Sequence, residues 1–179
     1  APDSTEWSEG HQLAKQYTTS DFVGLFGYEM TWSNGLGHMN TFNTEGFQSR
    51  TQSAYSSYST ALQNYYTALK KDTSSISQFN HPGTTFGDFS DFAYYDEEID
   101  PLITLIEVGN GEGAIGSSGY FPSYEYYTRA LDKGWHVAPT NNQDNHKGKW
   151  GDANTGRSVI LADELTEATF TMLFVTTVY

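Results

Sequence analysis

Six side chains of metal-ligand type lie at or just past the ends of predicted strands. They are Glu29, His38, His81, Glu107, Asp144 and His146. In α/β proteins the carboxyl ends of the strands face one side of the sheet, so we expect these groups to converge there. Imidazole nitrogens and carboxylate oxygens are ligands that suit Zn²⁺, Mn²⁺ or iron. The alternative is that each group is a single polar side chain with an ordinary hydrogen-bond partner.

The absence of cysteine narrows the possible chemistry. It excludes disulfides, thiolate zinc sites and cysteine nucleophiles, so any metal must use histidine and carboxylate ligands. The chain also has no G-x-S-x-G sequence, which disfavours a serine hydrolase. Taken with the six ligand-type residues, this predicts at least one divalent metal as cofactor, with zinc, manganese or iron as the choices.

A short basic segment follows the Asp144/His146 pair. Lys147, Lys149 and Arg157 are three of only nine Lys and Arg residues in the chain. They either hold an anionic group of a substrate, which would place Arg157 in the catalytic site, or form an ordinary solvated loop. The residue pattern leaves both interpretations open.

The elements that must position these residues alternate between strands and helices. Strands are predicted over 22–30, 38–42, 75–80, 102–108, 135–138 and 158–162, and helices over 4–18, 53–71, 123–133 and 166–176. Alternation of this kind indicates an α/β protein with a mainly parallel sheet. No repeat or linker divides the chain, so residues 1–179 are predicted to form a single domain. The length is too short for a complete eightfold barrel, which leaves an incomplete barrel or an open sheet.

Local signals place the ends of several elements. Asn34-Gly35 predicts a turn between the first two strands. Ser4 or Thr5 is expected to cap the first helix, Ser123 to cap the helix over 123–133, and Gly134 to follow it as the C′ residue. The segment 84–100 has no periodicity and is predicted to be a long loop.

Short motifs around the ligand-type residues resemble those of the polymerase and histidinol phosphatase (PHP) superfamily, in particular its carbaryl-hydrolase-like secreted branch. The matching segments are 27–31 (Gly-Tyr-Glu-Met-Thr), 37–40 (Gly-His-Met-Asn), 80–83 (Asn-His-Pro-Gly), 106–111 (Ile-Glu-Val-Gly-Asn-Gly) and 142–146 (Asn-Gln-Asp-Asn-His). Their order and spacing are similar to the family's from about residue 20 to residue 172.

The resemblance implies a distorted (βα)7 barrel that holds up to three metals. Glu29 would bridge the first and second metals, and His38 and His81 would complete the second. Asp144 would bind the first metal and His146 the third. The family's opening His-x-His pair and the Asp-His pair after it have no counterpart here. By resemblance, the chain would be the C-terminal two-thirds of such a domain, an incomplete barrel with only its second metal site complete.

Charge and composition bear on partners and location. Nine Lys and Arg residues against 22 Asp and Glu residues give a net charge of −13, which disfavours nucleic-acid binding. No apolar run has the length of about 20 residues that a membrane span needs. The start at Ala1-Pro2 is typical of a processed or cut end. Polar but weakly charged composition favours a secreted or cell-surface bacterial protein.

Two functions remain open from the sequence. The first is a secreted, metal-dependent PHP-type hydrolase that cleaves a phosphoester or related ester of a small anionic substrate with metal-activated water. Asp144, His146 and Arg157 would then belong to the catalytic site, and this piece alone would be a poor enzyme. The second is a non-catalytic metal-binding or adhesion module. An open sheet edge ahead of the strand over 22–30 is expected to be covered by the missing N-terminal fragment or by a second copy.

Overall fold

The structure, a computed structural model, describes residues 3–169. Its strands are β1 (Gly27–Trp32), β2 (Gly37–Phe42), β3 (Ile76–Asn80), β4 (Ile103–Asn110), β5 (Phe121–Pro122) and β6 (Ala138–Asn141). Its helices are α1 (Ser4–Tyr17), α2 (Ala61–Leu69), the short α3 (Phe89–Phe92) and α4 (Tyr124–Asp132), with single 3₁₀ turns at Ser53–Tyr55 and Asp100–Leu102. Within residues 3–169, no helix has both the length and the hydropathy that crossing a membrane requires.

The six strands form one mixed sheet in the order β1-β2-β3-β4-β5, with β6 paired to β4. The pairs β1–β2, β2–β3 and β4–β5 are antiparallel, whereas β3–β4 and β4–β6 are parallel. The prediction of a mainly parallel sheet in an incomplete (βα)7 barrel is therefore wrong. The helix between β2 and β3 does not connect parallel strands, because these two strands are antiparallel. Phe42 at the end of β2 pairs with Ile76 at the start of β3, so this connection leaves and re-enters the sheet at the same end.

The predicted turn between the first two strands is confirmed. Gly35 has φ of 83°, a left-handed conformation that glycine adopts without steric cost, and the Asn34 side chain accepts a hydrogen bond from the Leu36 N–H. The strand itself starts later than predicted, at Gly27 rather than residue 22. It also ends later, at Trp32, and β2 starts at Gly37, so Glu29 and His38 lie inside β1 and β2 and not at their ends.

The two faces of the sheet differ sharply in polarity. Met30, Met39, Phe79 and Ile106 pair in register across β1 to β4, and all four are fully buried in the hydrophobic core. This row packs on the side of α2 and α4, whose buried residues belong to the same core. Burying a large apolar side chain stabilises the fold by about 1.5–3 kcal/mol each.

The residues next in sequence to this apolar row have side chains that point to the opposite face of the sheet, and they are largely polar. Glu29, Asn40, Gln78 and Leu105 pair in register across the same four strands. Successive side chains of a strand alternate between faces, so every second residue of β1, β2 and β3 points to this same polar face. This polar face, free of α2 and α4, is where the candidate site lies.

Helix α1 packs at the β1 edge of the sheet. Trp7 is its buried residue, and the indole ring contacts the rings of Phe26 and Tyr28 at 5.3 and 5.8 Å between centroids. The cap of this helix is Asp3 and not the predicted Ser4 or Thr5, because the Asp3 side chain accepts a hydrogen bond from the Glu6 N–H while the Glu6 side chain accepts one from the Asp3 N–H. This capping box satisfies two backbone donors that a helix start leaves open.

Several other predictions change in detail. The helix over 53–71 is reduced to α2 and a 3₁₀ turn, with serines between them that bond to nearby backbone. The strand over 135–138 is replaced by β6, which begins at Ala138. Residues 158–162 form no strand, and Val159 and Leu161 are 85% and 89% exposed. Of the helix over 166–176, residues 167–169 are helical and residues 170–176 lie outside the described residues.

The predicted loop over 84–100 contains an unusual turn. All four residues of α3 have positive φ, from 53° at Phe92 to 60° at Asp91, so the turn is left-handed. This conformation costs about 1–2 kcal/mol per non-glycine residue. Burial of Phe89 and Phe92 and ion pairs from Asp91 to Arg129 and Lys133 oppose that cost.

Candidate metal centre

The β1–β2 hairpin places Glu29 and His38 on the polar face of the sheet. Glu29 pairs with Asn40, and His38 lies two residues before Asn40 on the same strand. Side chains two residues apart on a strand point the same way, so the carboxylate and the imidazole are diagonal neighbours. The Nδ1 atom of His38 lies 3.7 Å from Oε1 of Glu29.

His81 joins them from the end of β3. Asn80 pairs with His38, and His81 is the next residue, with φ of 27°. Non-glycine residues seldom adopt positive φ, and such strain often accompanies functional sites. The turn brings the His81 Nε2 atom to 3.0 Å from Nδ1 of His38.

The buried carboxylate of Glu107 fixes the orientation of His81. Its Oε2 accepts hydrogen bonds from the His81 backbone N–H at 2.7 Å and from Asn110 Nδ2 at 3.0 Å, and the His81 Nδ1 atom is also 3.0 Å away. An oxygen that accepts from two other donors is an acceptor for the imidazole too, so Nδ1 of His81 carries the hydrogen. Nε2 of His81 then presents a lone pair toward His38, the tautomer that a metal ligand needs.

Glu29, His38 and His81 together form a group that can hold a metal ion. One ligand atom from each lies within 4.8 Å of the other two. The bonds of a tetrahedral zinc site are about 2.0–2.1 Å, so its ligand atoms lie roughly 3.3 Å apart. The separations of 3.0 and 3.7 Å bracket that value. Two histidines with one carboxylate also form the protein ligand set of catalytic zinc sites that leave a position for water.

A chain of hydrogen bonds along the sheet ends at Glu29. Thr140 Oγ1 donates to Gln78 Oε1 at 2.8 Å, Gln78 Nε2 donates to Asn80 Oδ1 at 2.8 Å, and Asn80 Nδ2 donates to Glu29 Oε1 at 2.9 Å. Asn142 Nδ2 donates in addition to Glu107 Oε1 at 2.8 Å. Both carboxylates of the site are therefore oriented by side-chain amide donors.

The environment shifts the pKa values of all three candidate ligands. Burial raises the pKa of Glu29, against the hydrogen bond from Asn80, which lowers it. Burial, followed by the charges of His81 and Arg50, lowers the pKa of His38 to about 4. Burial also lowers the pKa of His81, but the hydrogen bond and charge of Glu107 outweigh it and the net pKa is raised. His38 is thus neutral, with a free lone pair, over most of the pH range.

The structure separates the remaining predicted site residues from this group. Asp144 lies on the same cavity as Glu29 and His81, and its charge raises the pKa of both. The His146 side chain is 78% exposed, and its Nδ1 lies 2.7 Å from the backbone oxygen of Asp144. The Arg157 guanidinium donates to backbone oxygens of its own loop, including that of Asn154 at 2.7 Å. Among residues 3–169, neither Asp144 nor His146 belongs to the metal-binding group.

A cavity of about 890 Å³ opens beside the group, and Glu29, His81 and Asp144 line it. It lies over the polar face of the sheet, with residues of α1 such as Ala14 and Lys15 on its other side. A second cavity of about 660 Å³ also reaches His81 and Asp144. The ring of Phe86 contacts both imidazoles, at 4.7 and 5.0 Å between centroids, and covers them on one side.

The supporting amides were missed from the sequence, although a signal for them exists. Strand β3 is buried at every position yet carries Ser77, Gln78 and Asn80. Buried strands are ordinarily apolar, so polar residues in one indicate a hydrogen-bonded site. Glu107 was noted as a ligand-type residue, but its contact with His81 joins positions 26 residues apart and has no local signal.

Comparisons of the chain with family models, with curated proteins and with solved structures find no match.

Proposed function

We propose that Glu29, His38 and His81 bind one divalent cation, zinc, manganese or iron, and that the protein is a metal-dependent hydrolase. The reaction would be hydrolysis of a phosphoester or related ester by water. The observation that carries this proposal is the convergence of the three ligand atoms at the wall of a large cavity, with His81 held in the metal-binding tautomer by Glu107.

The donor atoms support the choice of cation. Neutral imidazole and carboxylate oxygen suit zinc and other borderline divalent ions, and no thiolate ligand is available because the chain has no cysteine. Carboxylates that hydrogen-bond a ligating histidine typically increase its basicity and fix its ring. Glu107 has this position relative to His81, at 3.0 Å from Nδ1.

The cation and the protein side chains would supply different parts of the hydrolysis reaction. A bound divalent cation supplies Lewis-acid chemistry, lowering the pKa of water to about 7 and polarising an ester oxygen. Glu107 holds the His81 ring in place, and the hydrogen bond from Asn80 holds the Glu29 carboxylate. Asp144 lines the same cavity, so we assign its carboxylate to accept the proton of the attacking water.

The motifs that resemble the PHP superfamily predict the same chemistry at Glu29, His38 and His81. The (βα)7 barrel that the resemblance implied is wrong, so the proposal rests on the site and not on the fold. A phosphoester substrate, secretion and a catalytic role for Arg157 stay predictions.

A second function, a non-catalytic metal-binding module, has one observation in its favour. Asp144 and His146 do not join the group, so the described residues provide three ligands for a single cation rather than a site with several metals. One metal can serve a purely structural role, which requires that a fourth protein ligand or a partner close the open position.

The test is hydrolysis of 4-nitrophenyl phosphate and 4-nitrophenyl acetate by the purified chain with and without added Zn²⁺ or Mn²⁺. We expect hydrolysis of at least one ester that requires the metal and is lost in His38→Ala and His81→Ala. His136→Ala is the matched control, since His136 pairs with Asp100 outside the site. Tight metal binding without hydrolysis of either ester would favour the non-catalytic module.

A further inference from the structure

The charge of the 890 Å³ cavity bears on which ester the site accepts. Five carboxylate side chains line it: Glu29, Glu45, Glu107, Asp144 and Glu167. Lys15 is the single lysine or arginine among the described residues of its wall. Arg50, whose charge acts on His38, donates to Thr31 at 2.7 Å and is not part of the wall. Even with a divalent cation bound, the wall keeps a negative charge, which repels an anionic ligand.

The uncharged part of the wall is rich in amides and hydroxyls. Asn40 is half-buried and lies between Glu29 and Gln78 in the register of the sheet. Its side chain makes no hydrogen bond within residues 3–169, unlike those of Gln78 and Asn80. Because this half-buried amide lies on the cavity wall and bonds no described protein group, its donors and acceptor are available to a ligand.

Apolar groups complete the wall. The residues are Ala14, Leu25, Phe26, Phe42, Ile76 and Leu105. A cavity of several hundred Å³ with apolar walls and a few convergent polar groups is typical of a small-molecule site. Carboxylates and amides next to apolar surface match a molecule that has hydroxyl groups on its rim and carbon–hydrogen faces, as a sugar has.

We propose that the substrate is a carboxylic ester of an uncharged, hydroxyl-rich molecule such as an acetylated sugar, and not a phosphoester. This inference rests on the proposed hydrolase function and specifies its substrate. Water adds to the acyl carbon, and the bond between that carbon and the alcohol oxygen breaks. One proton of the water passes to the departing alcohol oxygen, giving a free alcohol and a carboxylic acid. The developing negative charge on the acyl oxygen receives a hydrogen bond from Asn40 Nδ2.

The test compares two esters of the same sugar hydroxyl that differ in charge. The zinc-loaded protein is given 6-O-acetylglucose or glucose 6-phosphate, and released glucose is measured. We expect kcat/KM to be at least about tenfold higher for the acetyl ester. Added salt screens charge, so raising NaCl from 20 to 300 mM should increase the small rate with the phosphate and leave the acetyl rate unchanged.

Failure of this inference and failure of the proposed function give different results. Equal or faster hydrolysis of glucose 6-phosphate overturns the inference and leaves the hydrolase function standing. Release of glucose from neither ester overturns the proposed function. In that case binding to the zinc-free protein, followed through the Asn40 side-chain amide by NMR, decides the inference. Perturbation by glucose and not by glucose 6-phosphate supports it, and the reverse overturns it.

Single substitutions distinguish an effect of the charge on the cavity wall from a general effect of mutation on activity. Glu45→Gln removes one negative charge from the wall, so the ratio of acetyl to phosphate kcat/KM should fall several-fold. Glu125→Gln, a matched change at an exposed residue of α4, should leave that ratio at its wild-type value. Asn40→Ala should lower kcat for the acetyl ester about 10²-fold, as loss of an oxyanion donor does. Equal ratios in Glu45→Gln and wild type would contradict selection by charge.

Discussion

Nε2 of His81 lies 3.0 Å from Nδ1 of His38, although the two residues are 43 positions apart. Antiparallel pairing of β2 with β3 sets His38 opposite Asn80, and the positive φ of His81 turns its ring back toward this pair. Two imidazole lone pairs at this distance repel each other unless a proton or a cation lies between them. With Glu29 3.7 Å from His38, a divalent cation is the group that suits all three.

We expect Glu107→Gln to weaken metal binding by about 10–100-fold while the protein stays folded. The glutamine keeps the size of the side chain but lacks the charge that holds the Nδ1–H of His81 at 3.0 Å. Affinity is measured by competition with a chromophoric zinc chelator.

Glu98→Gln is the control for this experiment, because Glu98 is exposed and pairs with Lys70 away from the site. Wild-type affinity in Glu107→Gln would show that the carboxylate does not position His81.

We expect Asp144→Asn to lower kcat for ester hydrolysis by about 10²–10⁴-fold, the range that proton transfer by a side chain contributes. Metal affinity should change little, because Asp144 lies on the cavity but outside the metal-binding group. Zinc content and initial rates are measured on the same samples. Loss of zinc together with activity would make Asp144 a ligand, as the sequence predicts, and not the proton acceptor.

The left-handed turn of α3 gives a prediction about stability. Ser90 has φ of 55°, a conformation that glycine adopts at no steric cost. Ser90→Gly should therefore raise the free energy of unfolding by about 1 kcal/mol, measured by urea denaturation. Thr60→Gly is the control, since Thr60 has φ of −129° and no side-chain cap. A loss of stability in Ser90→Gly would show that the turn is not strained.

Asp91 makes the stability of the same turn depend on pH. Hydrogen bonds from Lys133 and Arg129 lower the pKa of Asp91 below its ordinary value of 3.8. Its ion pairs thus stabilise the fold fully above pH 3.8, and that contribution is lost as the pH falls through the lowered pKa. Asparagine tolerates positive φ, so Asp91→Asn removes the charge alone.

Asp91→Asn should be less stable than wild type at pH 7, and the difference should be smaller at pH 2.5, which lies below the ordinary pKa of 3.8. Denaturation midpoints at the two pH values measure this. Asp132→Asn, at an exposed residue without an ion pair in the described part of the chain, is the control. A difference between Asp91→Asn and wild type that persists unchanged at pH 2.5 would exclude an ionic contribution.

The sequence located most elements but not how they pair. Asn34-Gly35 identified the hairpin, and Ser123 and Gly134 placed the ends of α4, because these signals are local. The direction of β3 relative to β2 depends on where the chain re-enters the sheet, which Phe42 and Ile76 settle only in three dimensions.

The candidate site was likewise predicted only in part from the sequence. The sequence predicted that Glu29, His38 and His81 share a site, and the structure brings them together. The same prediction grouped Asp144 and His146 with them as metal ligands, yet their loop turns the His146 ring outward. The amides of Asn80 and Asn142 bond carboxylates that are distant in the sequence, so no spacing reveals them, whereas Asn110 bonds Glu107 on its own strand.

Titration of the metal-free protein with Zn²⁺ by isothermal calorimetry determines whether Glu29, His38 and His81 form a metal centre. We expect one site per chain, lost in Glu29→Ala, His38→Ala and His81→Ala, and retained in His136→Ala. Folding of each variant is confirmed by circular dichroism. Absence of zinc binding by the wild type, or wild-type affinity in His38→Ala and His81→Ala, would contradict the assignment of these residues as a metal centre.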